Sequence, residues 1–593
     1  MNPLFDDREI DFLLYDVLDA EQLTSFPDFA EHSRETFDFV LGGARRMARD
    51  VLFLAYRELD EKPPVLEDGK VRVHPRMKEL WPKLLSLGLV AAPRPTEVGG
   101  QSLPLLVDCL AQAYLCAGNL GAATYFILAR GTGHLIEAYG SDALKAEYLG
   151  RLYGGEWLGT MALTEPHAGS SLADLTTTAK PTAEGHYLVR GSKIFISGGD
   201  HDVTENIVHL ALARIEGAPS GTKGISLFAI PKLRKGGVPN DVTVTGLIHK
   251  IGWKALPSVS LSFGDRNDCH GYLVGEPHKG LSYMFQMMNE ARIGVGLAGA
   301  ATASVAYREA LAYAQERPQG RALGTPSGAG AQVPIIEHAD VRRMLLRQKA
   351  IVEGAMALVG VTARYADVSL HSPDAAERER AQLLLDLLTP VTKSYPAEHG
   401  FEANALAVQV HGGYGYSSEY LPEAWLRDQK LNTIHEGTTG IQGLDLLGRK
   451  VMARGGAALT ALVQEVLWSV EEARKEELPA ELCNAVEQAT KTVGDVTLTL
   501  GAKGMSGDAA GMMLHSNDYL ELASTWIVGW LWLRQATAAR RCLNRGGPSP
   551  DVYEGKLLTA KYFIETELPR IAQLGALCTS GEDSYVKMKV EWF

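Results

Sequence analysis

The spacing of apolar residues changes twice along this chain of 593 residues, and the change limits the folds open to it. In the first part apolar residues recur at helical spacing, as in the run 80–89. Short β-branched runs bounded by Gly, Pro, Asp and Asn follow, as at 207–213, and predict an antiparallel β unit. Helical patterns then return. The sequence therefore predicts an α+β protein with a helical domain at 1–158, a β domain at 159–276, a helical domain at 277–450 and an appended helical domain at 451–593.

The charge of the chain argues against a nucleic-acid partner. Its 58 Lys and Arg residues and 71 Asp and Glu residues leave a formal net charge of -13, which repels a polyphosphate backbone. The six cysteines contain no CxxC pair, and this pattern fits neither a disulfide framework nor a zinc site. We therefore expect no nucleic acid, no bound metal and a reducing compartment.

The sequence carries no signal for membrane insertion or export. The N-terminus lacks a basic region followed by an apolar run, so we expect neither a secretory nor a transit peptide. The apolar run at 525–533 falls well short of the roughly 20 residues that a membrane span requires. We predict that this run is a buried helix and that the protein is cytoplasmic.

A glycine motif at Gly294, Gly296 and Gly299 matches the dinucleotide fingerprint GxGxxG. That fingerprint needs a strand before it, whereas a helical pattern runs in from Leu281 and continues beyond Gly299. Small residues at this spacing predict two helices that pack closely. The Gly-, Pro-, Ser- and Ala-rich stretch 320–332 predicts a loop between helices.

Two runs in the β unit have the residue types of a cofactor site. The run 161–170 ends in Ala-Gly-Ser, where a tight turn frees backbone amides that suit phosphate or flavin oxygens. In the run 191–199, side-chain alternation places Phe195 and Ser197 on one face of a strand, where a ring and a hydroxyl could flank a flat cofactor. Taken singly, the first run is also typical of a plain strand-to-turn connection, and the second of a core Phe beside an exposed Ser.

Two further runs make the pattern specific. Residues 409–416 read Gln-Val-His-Gly-Gly-Tyr-Gly-Tyr, and residues 431–442 read Leu-Asn-Thr-Ile-His-Glu-Gly-Thr-Thr-Gly-Ile-Gln. Together with the two earlier runs, in this order, they resemble the acyl-CoA dehydrogenase family over about residues 35 to 450. The resemblance implies a helical N-terminal domain, a small β-barrel or β-sandwich domain, a C-terminal four-helix bundle, bound FAD and an acyl-CoA substrate.

The resemblance also implies roles for individual residues. Glu436 is similar to the loop glutamate that takes the α-proton of the substrate. The flavin contacts implied by the motifs are Leu163, Thr164, Gly169, Ser170, Phe195 and Ser197 in the β domain, and Arg317, Gln409, Gly412, Gly413 and Thr438 in the helical domain. Substrate contacts are implied for Ser170, Arg292 and Gly437.

Three positions depart from the family pattern. Phe195 stands where many members have Trp, and Ser197 where they have Thr. Gly440 replaces the usual Gln, so we expect an adenine pocket that differs in detail.

In some relatives the base lies immediately before the residue matched by Arg292; here Ala291 holds that place, and Glu290 is turned about 100° away on a helix. We therefore favour Glu436 over Glu290 as the base.

Several functions share this scaffold. The favoured one is α,β-dehydrogenation of an acyl-CoA, with electrons passed to electron-transferring flavoprotein. An acyl-CoA oxidase would hand the electrons to oxygen, and a flavin-containing DNA-protection protein would need a basic C-terminal surface, whereas acidic residues are common in 451–593. The chain most resembles the long bacterial branch, which includes enzymes for 3-methylmercaptopropionyl-CoA and for fatty acyl-CoA. In that branch the appended domain takes the place of a neighbouring dimer, which favours a homodimer.

Overall fold

The computed structural model describes residues 2–324, 326 and 330–593, without the side chains of 285–289. Part of the predicted loop at 320–332 lies outside the described residues. The chain forms two compact units. The first unit comprises Met1–Arg34, Pro104–Leu110 and Arg292–Phe593, and the second comprises Glu35–Leu103 and Ala111–Ala291. The domain boundaries expected at 158, 276 and 450 stay predictions.

Helices make up most of the described chain. The longer ones are α1 (Arg34–Met47), α2 (Phe53–Glu61), α3 (Pro75–Leu85), α4 (Leu105–Tyr139), α5 (Gly280–Glu316), α6 (Ala339–His371), α7 (Ala375–His411), α8 (Pro422–Lys430), α9 (Ala457–Lys475), α10 (Ala480–Met505), α11 (Ser516–Asn544), α12 (Pro550–Tyr562) and α13 (Arg570–Ser580). Shorter α-helices lie at Asp7–Asp11, Asp142–Leu144, Gly150–Tyr153, Thr439–Asp445, Ala509–Met513 and Ser584–Lys587.

The strands belong to the second unit. They are β1 (Val65–Glu67), β2 (Lys70–Arg72), β3 (Trp157–Ala162), β4 (Thr178–Pro181), β5 (Tyr187–Ser197), β6 (Asn206–Ile215), β7 (Ile225–Pro231), β8 (Leu233–Arg234), β9 (Val238–Pro239), β10 (Val242–Leu247), β11 (Ser258–Phe263) and β12 (His270–Val274). The main sheet has the order β10-β11-β5-β12-β7-β6-β3, with β4 paired to β5 and β6. The predicted fold class, with helical parts around a middle β domain, is confirmed.

Two details of the strands differ from the sequence-based expectation. Pairing within the main sheet is not wholly antiparallel, because β3 and β4 each run parallel to β6. Parallel neighbours need a crossover connection, and the residues between β3 and β6 provide it. The second difference is the hairpin of β1 and β2 inside the stretch expected to be helical. Its two turn residues, Asp68 and Gly69, both have positive φ, as a tight hairpin turn requires.

Strands β6 and β7 are buried along most of their length, which explains why their sequences are largely apolar. In β6, Val208, Leu210 and Leu212 join one apolar cluster together with Leu135 of α4. Ala211, in the same strand, joins a second cluster. Because side chains alternate along a strand, the two clusters lie on opposite faces of the sheet. A strand covered on both sides loses the polar alternation that marks a half-exposed strand.

One described helix, α4, is long and apolar enough to cross a bilayer by length and composition. The most apolar 18-residue segment of this helix is 94% buried within the protein. Asn119 interrupts the helix with φ −165° and ψ 98°. The Asn119 Oδ1 atom accepts a hydrogen bond from the Ala122 amide. This amide is one of the backbone donors that lack an intrahelical acceptor where the helix resumes after Asn119.

The predicted buried helix at 525–533 is part of α11, and its tryptophans explain how the appended helices assemble. Trp526 donates to the Thr490 hydroxyl of α10 at 2.9 Å, and Trp530 donates to the Ser469 hydroxyl of α9 at 2.8 Å. Trp532 donates to the Ala350 carbonyl of α6 at 3.2 Å. Each buried indole N–H thus has a partner in a different helix, so α11 is the centre around which α9, α10 and α6 are arranged.

The glycine motif of α5 makes a close contact between two helices, as the sequence predicts. A Cβ atom on Gly296 would lie 2.1 Å from the Thr392 carbonyl oxygen of α7, and one on Gly299 would lie 2.8 Å from the Pro396 carbonyl oxygen. Pro396 has no N–H, so the Thr392 carbonyl lacks its usual donor one turn along α7. A Cβ atom on Gly294 would have no heavy atom within 4 Å. The helices therefore touch backbone to backbone at Gly296 and Gly299.

A buried histidine connects α7 with the appended helices. His399 Nε2 lies 3.1 Å from Glu521 Oε2 of α11, and His399 Nδ1 lies 3.4 Å from Glu402 Oε2. Arg347 of α6 binds Glu402 and also Glu567 at 2.8 and 2.7 Å. Burial opposes protonation of His399, but the two carboxylates raise the pKa of its imidazole to about 9. The protonated histidine therefore stabilises the fold at neutral pH.

Substitution of Gly296 by Ala should destabilise the protein, because its methyl group has to displace the Thr392 carbonyl. We expect a loss of about 2 kcal/mol in the free energy of unfolding, measured by denaturant titration. Gly294→Ala is the matched control, since it adds a methyl in open space at a helical position; it should be neutral or slightly stabilising. Equal stability of the two variants would contradict the packing described here.

Removal of the His399 imidazolium should cost stability in a pH-dependent way. The pKa of His399 is raised in the folded state, so its contribution is complete below about pH 6.5 and is lost as the pH rises through about 9. We expect the thermal midpoint of His399→Gln to lie well below that of the parent protein at pH 6 and to approach it at pH 10. His371→Gln, which removes a half-buried histidine paired with Asp28, serves as the control. A gap that stays constant with pH would refute the assignment.

Candidate active site

Glu436 lies in a loop with unusual backbone angles. The loop follows the short turn Leu431–Thr433 and precedes the helix Thr439–Asp445. Glu436 has φ 54° and Gly437 has φ 85°, so two successive residues are in the left-handed region. For a residue with a Cβ atom this conformation costs on the order of 1 kcal/mol and persists only where surrounding contacts impose it.

Gln442 supplies those contacts. Its side chain is fully buried, and its Nε2 group donates to the carbonyl oxygens of both Glu436 and Gly437, each at 3.1 Å. Thr438, which is exposed, precedes the helix at its N-cap, and its carbonyl accepts a hydrogen bond from the Gln442 amide. One glutamine side chain therefore fixes the two peptide planes on either side of Gly437.

Two cations act on the half-buried Glu436 carboxylate. Burial raises the pKa of Glu436, and the charges of Arg292 and Lys393 oppose that rise. Arg292 is 3% exposed, and its Nη1 atom binds Asp445 Oδ2 at 2.7 Å. Asp445 also binds Arg449 at 2.8 Å. A carboxylate with a raised pKa next to a fixed cation is typical of a general base.

The other carboxylate considered as a base, Glu290, belongs to the second unit and has a partner there. Its Oε2 atom lies 2.9 Å from Nδ1 of His134 in α4. The contact gives Glu290 a structural role in that unit. The preference for Glu436 as the base stays a prediction.

Three of the residues expected to contact the flavin share a cavity in the first unit. Arg317, Gly412 and Gly413 line a cavity of about 510 Å³, whose remaining walls are formed by Tyr313, His411, Tyr414, Ser417 and Glu419. Cβ atoms on the two glycines would meet nothing within 4 Å. Gln409 lies exposed in the last turn of α7, and its carbonyl accepts the Gly412 amide. An exposed guanidinium beside an open glycine backbone is suited to bind an anion such as a phosphate.

In the second unit a buried ion pair joins two of the sequence motifs. Glu165 binds Lys193 at 2.9 Å, and it also accepts hydrogen bonds from the amides and hydroxyls of Thr176 and Thr177. Burial disfavours ionisation of Glu165, but Lys193 and these donors lower the pKa of its carboxyl to about 2. Lys193 also donates to the Leu163 carbonyl at 3.0 Å. The pair therefore holds the 161–170 run against β5.

The remaining residues expected in the second unit lie near this pair. The Thr164 carbonyl accepts the Ile194 amide at 3.0 Å, which adds a backbone link between the same two segments. Gly169 and Ser170 are exposed in the turn that follows Glu165. Ser197 ends β5 opposite Ser258 of β11. Their expected contacts with a flavin stay predictions.

Phe195 departs from regular strand geometry. The pairing of β5 with β11 shifts at this point, so that Lys193 and Ile196, three residues apart, are both buried. This is a β-bulge, and Phe195 within it has φ 60° and is 61% exposed. A large aromatic ring held outward by a strained backbone is a candidate for stacking on a ligand.

The residues that support the candidate site are not evident from the sequence alone. Glu165 and Lys193 lie within two of the motifs, but no local pattern pairs two charges that are 28 positions apart. Gln442 is the last residue of the motif at 431–442, and no pattern in the sequence indicates its contacts or marks Asp445 and Lys393. At Gly440 a Cβ atom would meet only ordinary contacts, at 3.8 and 4.0 Å, so the space there would accept a side chain. Among the described residues no group of three or more His, Cys, Asp or Glu side chains could hold a metal ion.

Comparison with protein families matches four consecutive models. The acyl-CoA dehydrogenase N-terminal, middle and C-terminal domain models match residues 45–156, 160–266 and 278–452. A model described as acetyl-CoA dehydrogenase C-terminal like matches residues 459–589.

Characterised relatives and a solved structure agree with these matches. The chain is 36% identical to 3-methylmercaptopropionyl-CoA dehydrogenase of Ruegeria pomeroyi, over 88% of each chain. It is 32% identical to a butyryl-CoA dehydrogenase of Syntrophomonas wolfei, over 96% of each chain. The acyl-CoA dehydrogenase of Bacillus anthracis, solved with FAD, superimposes with a TM-score of 0.74 at 22% identity, over 93% of this chain and 89% of that one.

The matches cover both units. The predicted resemblance is confirmed, and so is the prediction of an oxidoreductase that uses FAD. The chain belongs to the acyl-CoA dehydrogenase family.

Proposed function

We propose that this protein oxidises the Cα–Cβ bond of an acyl-CoA thioester, with Glu436 as the base that removes the α-proton. The observation that carries the proposal is the Glu436 loop, in which a strained backbone fixes a half-buried carboxylate beside cations. The names of two relatives, for 3-methylmercaptopropionyl-CoA and butyryl-CoA, support an acyl-CoA thioester as the substrate.

The residues present suit FAD. Arg317 offers a positive charge to a pyrophosphate, and the backbone at Gly412 and Gly413, where a Cβ atom would meet nothing within 4 Å, leaves space for it. The exposed Phe195 ring offers an apolar face to a flat ring system. When bound, FAD supplies the two-electron acceptor for the β-hydrogen. We propose Leu163, Thr164, Gly169, Ser170, Ser197, Gln409 and Thr438 as further contacts.

The chemistry explains why the loop needs its geometry. Loss of an α-proton places negative charge on the thioester oxygen, so the site needs a base and a hydrogen-bond donor that are both fixed beforehand. Gln442 fixes the carbonyl groups of Glu436 and Gly437, and because a peptide group is planar it also fixes the directions of the Gly437 and Thr438 amides. By resemblance to the family we assign the thioester oxygen to the Glu436 amide, which belongs to the preceding peptide group. We propose Arg292 and Gly437 as substrate contacts.

A carboxylate at its ordinary pKa is a weak base for so poor an acid. Burial already raises the pKa of Glu436 in the free protein, and a bound acyl chain removes more water and raises it further. Substrate binding is therefore part of the activation of the base. Turnover should fall at acid pH, where protonation of Glu436 removes the base.

Glu436→Gln should keep bound FAD and lose turnover by about three orders of magnitude, because the amide preserves shape but cannot accept the proton. The measurement is bleaching of the oxidised flavin after mixing with butyryl-CoA. Glu290→Gln is the matched control and should retain most of the activity. Near-normal bleaching by Glu436→Gln, together with loss in Glu290→Gln, would move the base to the other carboxylate.

Gln442→Met removes the donor that fixes the loop while keeping the length of the side chain. We expect kcat to fall by about ten- to a hundredfold, since misplacement of a catalytic group by about 1 Å has effects of that size. FAD content and thermal midpoint should change little. The exposed Gln464→Met variant is the control, and a Gln442→Met enzyme with unchanged kcat would show that the loop holds its shape without this side chain.

Substrate range and electron acceptor call for separate measurements. A panel of acyl-CoA thioesters of graded length, branching and thioether content identifies the chain length through the rate of flavin bleaching. Reoxidation of the reduced enzyme in air then separates a dehydrogenase from an oxidase. We propose slow reoxidation by oxygen, rapid reoxidation by electron-transferring flavoprotein and a homodimer in solution.

A further inference from the structure

The helix Thr439–Asp445, which follows the Glu436 loop, is too short to hold its position by itself. It has 7 residues, and isolated helices of fewer than about 12 residues are marginal in water. One side of this helix holds the loop through Gln442, and its last residue, Asp445, binds Arg292. The place of the helix, and with it that of the loop, is therefore set by the groups that it packs against.

Another side of the short helix lies against the appended helices, at the start of α11. A Cβ atom on the buried Gly443 would lie 2.7 Å from the Ser516 carbonyl oxygen and 2.9 Å from Asn517 Oδ1. Cβ atoms essentially never approach other heavy atoms this closely, so the backbone of the short helix touches that of α11 at Gly443. Because neighbouring residues on a helix point about 100° apart, Gln442 can hold the loop while Gly443 faces α11.

The first turn of α11 is itself held in place by a second segment. His515, the N-cap residue of α11, is 4% exposed. Its Nδ1 atom lies 3.0 Å from Asp518 Oδ2, and its Nε2 atom lies 2.9 Å from the Glu582 carbonyl oxygen. The Tyr585 hydroxyl donates to the Leu514 carbonyl at 2.5 Å. The turn that contacts the short helix is therefore fixed by the segment that follows α13.

A side chain at position 443 would displace the short helix rather than α11. α11 has 29 residues, and the N–H groups of its three buried tryptophans are bonded to three different helices. The short helix is held elsewhere by the side chains of Gln442 and of the pair Asp445 and Arg292. Packed backbones yield less readily than side chains, so the displacement would pass to the Glu436 loop.

We propose that the first turn of α11 positions the Glu436 carboxylate, through Gly443 and Gln442. The proposal rests on the role of Glu436 proposed above. A shift of the short helix moves the Gln442 amide group, and with it the two carbonyl groups of the loop that this amide binds. Gly443 is thus a positioning residue, because its lack of a side chain sets the depth at which the short helix lies on α11. The appended helices thereby become part of the support of the active site.

The test compares Gly443→Ala with Gly529→Ala, both loaded with FAD. A Cβ atom on Gly529 would lie 2.7 Å from Leu568 Cδ1, so this control adds a comparably close methyl group about three and a half turns further along α11. Both substitutions should lower the thermal midpoint. Only Gly443→Ala should lower kcat, by about ten- to a hundredfold, since misplacement of a catalytic group by about 1 Å has effects of that size. KM for the acyl-CoA and the FAD content should stay close to those of the parent.

A second readout isolates the proton transfer. A 3-thiaacyl-CoA has sulfur in place of the β-carbon, so it can lose an α-proton but has no β-hydrogen to give as hydride. The measurement is the rate at which the long-wavelength absorbance of its enolate beside oxidised flavin appears after mixing. Gly443→Ala should slow this rate by about the same factor as kcat, and Gly529→Ala should keep the parent rate, because loss of stability alone does not move the base.

The outcomes separate the two proposals. A parent-like rate of deprotonation in Gly443→Ala, or an equal fall in Gly529→Ala, overturns the positioning role. If Gly443→Ala does not fold, His515→Ala decides the matter: it removes the two contacts that hold the first turn of α11, and an unchanged rate of deprotonation in it overturns the role. Absence of flavin bleaching by every acyl-CoA in the parent enzyme, or normal turnover in Glu436→Gln, would instead overturn the proposed function.

Discussion

The close contact of α5 and α7 is the constraint on which the candidate site depends. Gly296 lets the Thr392 carbonyl approach to a distance that no side chain would permit, and Pro396 leaves that carbonyl without its helical donor. At the same level Gln429 of α8 donates to the Pro396 carbonyl at 2.9 Å. The helices α5 and α7 are thus in contact through backbone groups, and the Gln429 side chain joins α8 to the same part of the α7 backbone. Backbone contacts are stiff, and this stiffness is transmitted to the loop that α8 leads into.

The loop itself shows how a strained conformation is maintained. Glu436 is in a conformation that a residue with a Cβ atom does not favour, and Gln442 of the following helix binds its carbonyl and that of Gly437. The same helix ends at Asp445, which anchors Arg292. The proposed base is therefore held by one end of this helix, and the cation Arg292 by the other. The second unit uses a comparable device, in which the pair Glu165 and Lys193 holds the 161–170 run against β5.

Local patterns in the sequence were enough for much of this architecture. The GxGxxG spacing was interpreted correctly as helix packing because no strand precedes Gly294, and the apolar run at 525–533 was recognised as buried because it is too short to span a membrane. The hairpin at β1 and β2 was missed although Asp68 and Gly69 form a typical two-residue turn, since its strands are only three residues each. The parallel pairing of β3 with β6, the bulge at Phe195 and the partner of Lys193 depend on residues far apart in sequence, which periodicity does not relate.

The left-handed backbone at Glu436 has a consequence for the evolution of this chain. Glycine adopts that conformation without steric cost, so glycine at this position would relieve about 1 kcal/mol of strain while removing the carboxylate. Stability and the proposed role of Glu436 therefore favour different residues at the same position. A lineage selected only for a robust fold would be expected to drift toward glycine there, and the proposed role as the base accounts for Glu in such a backbone.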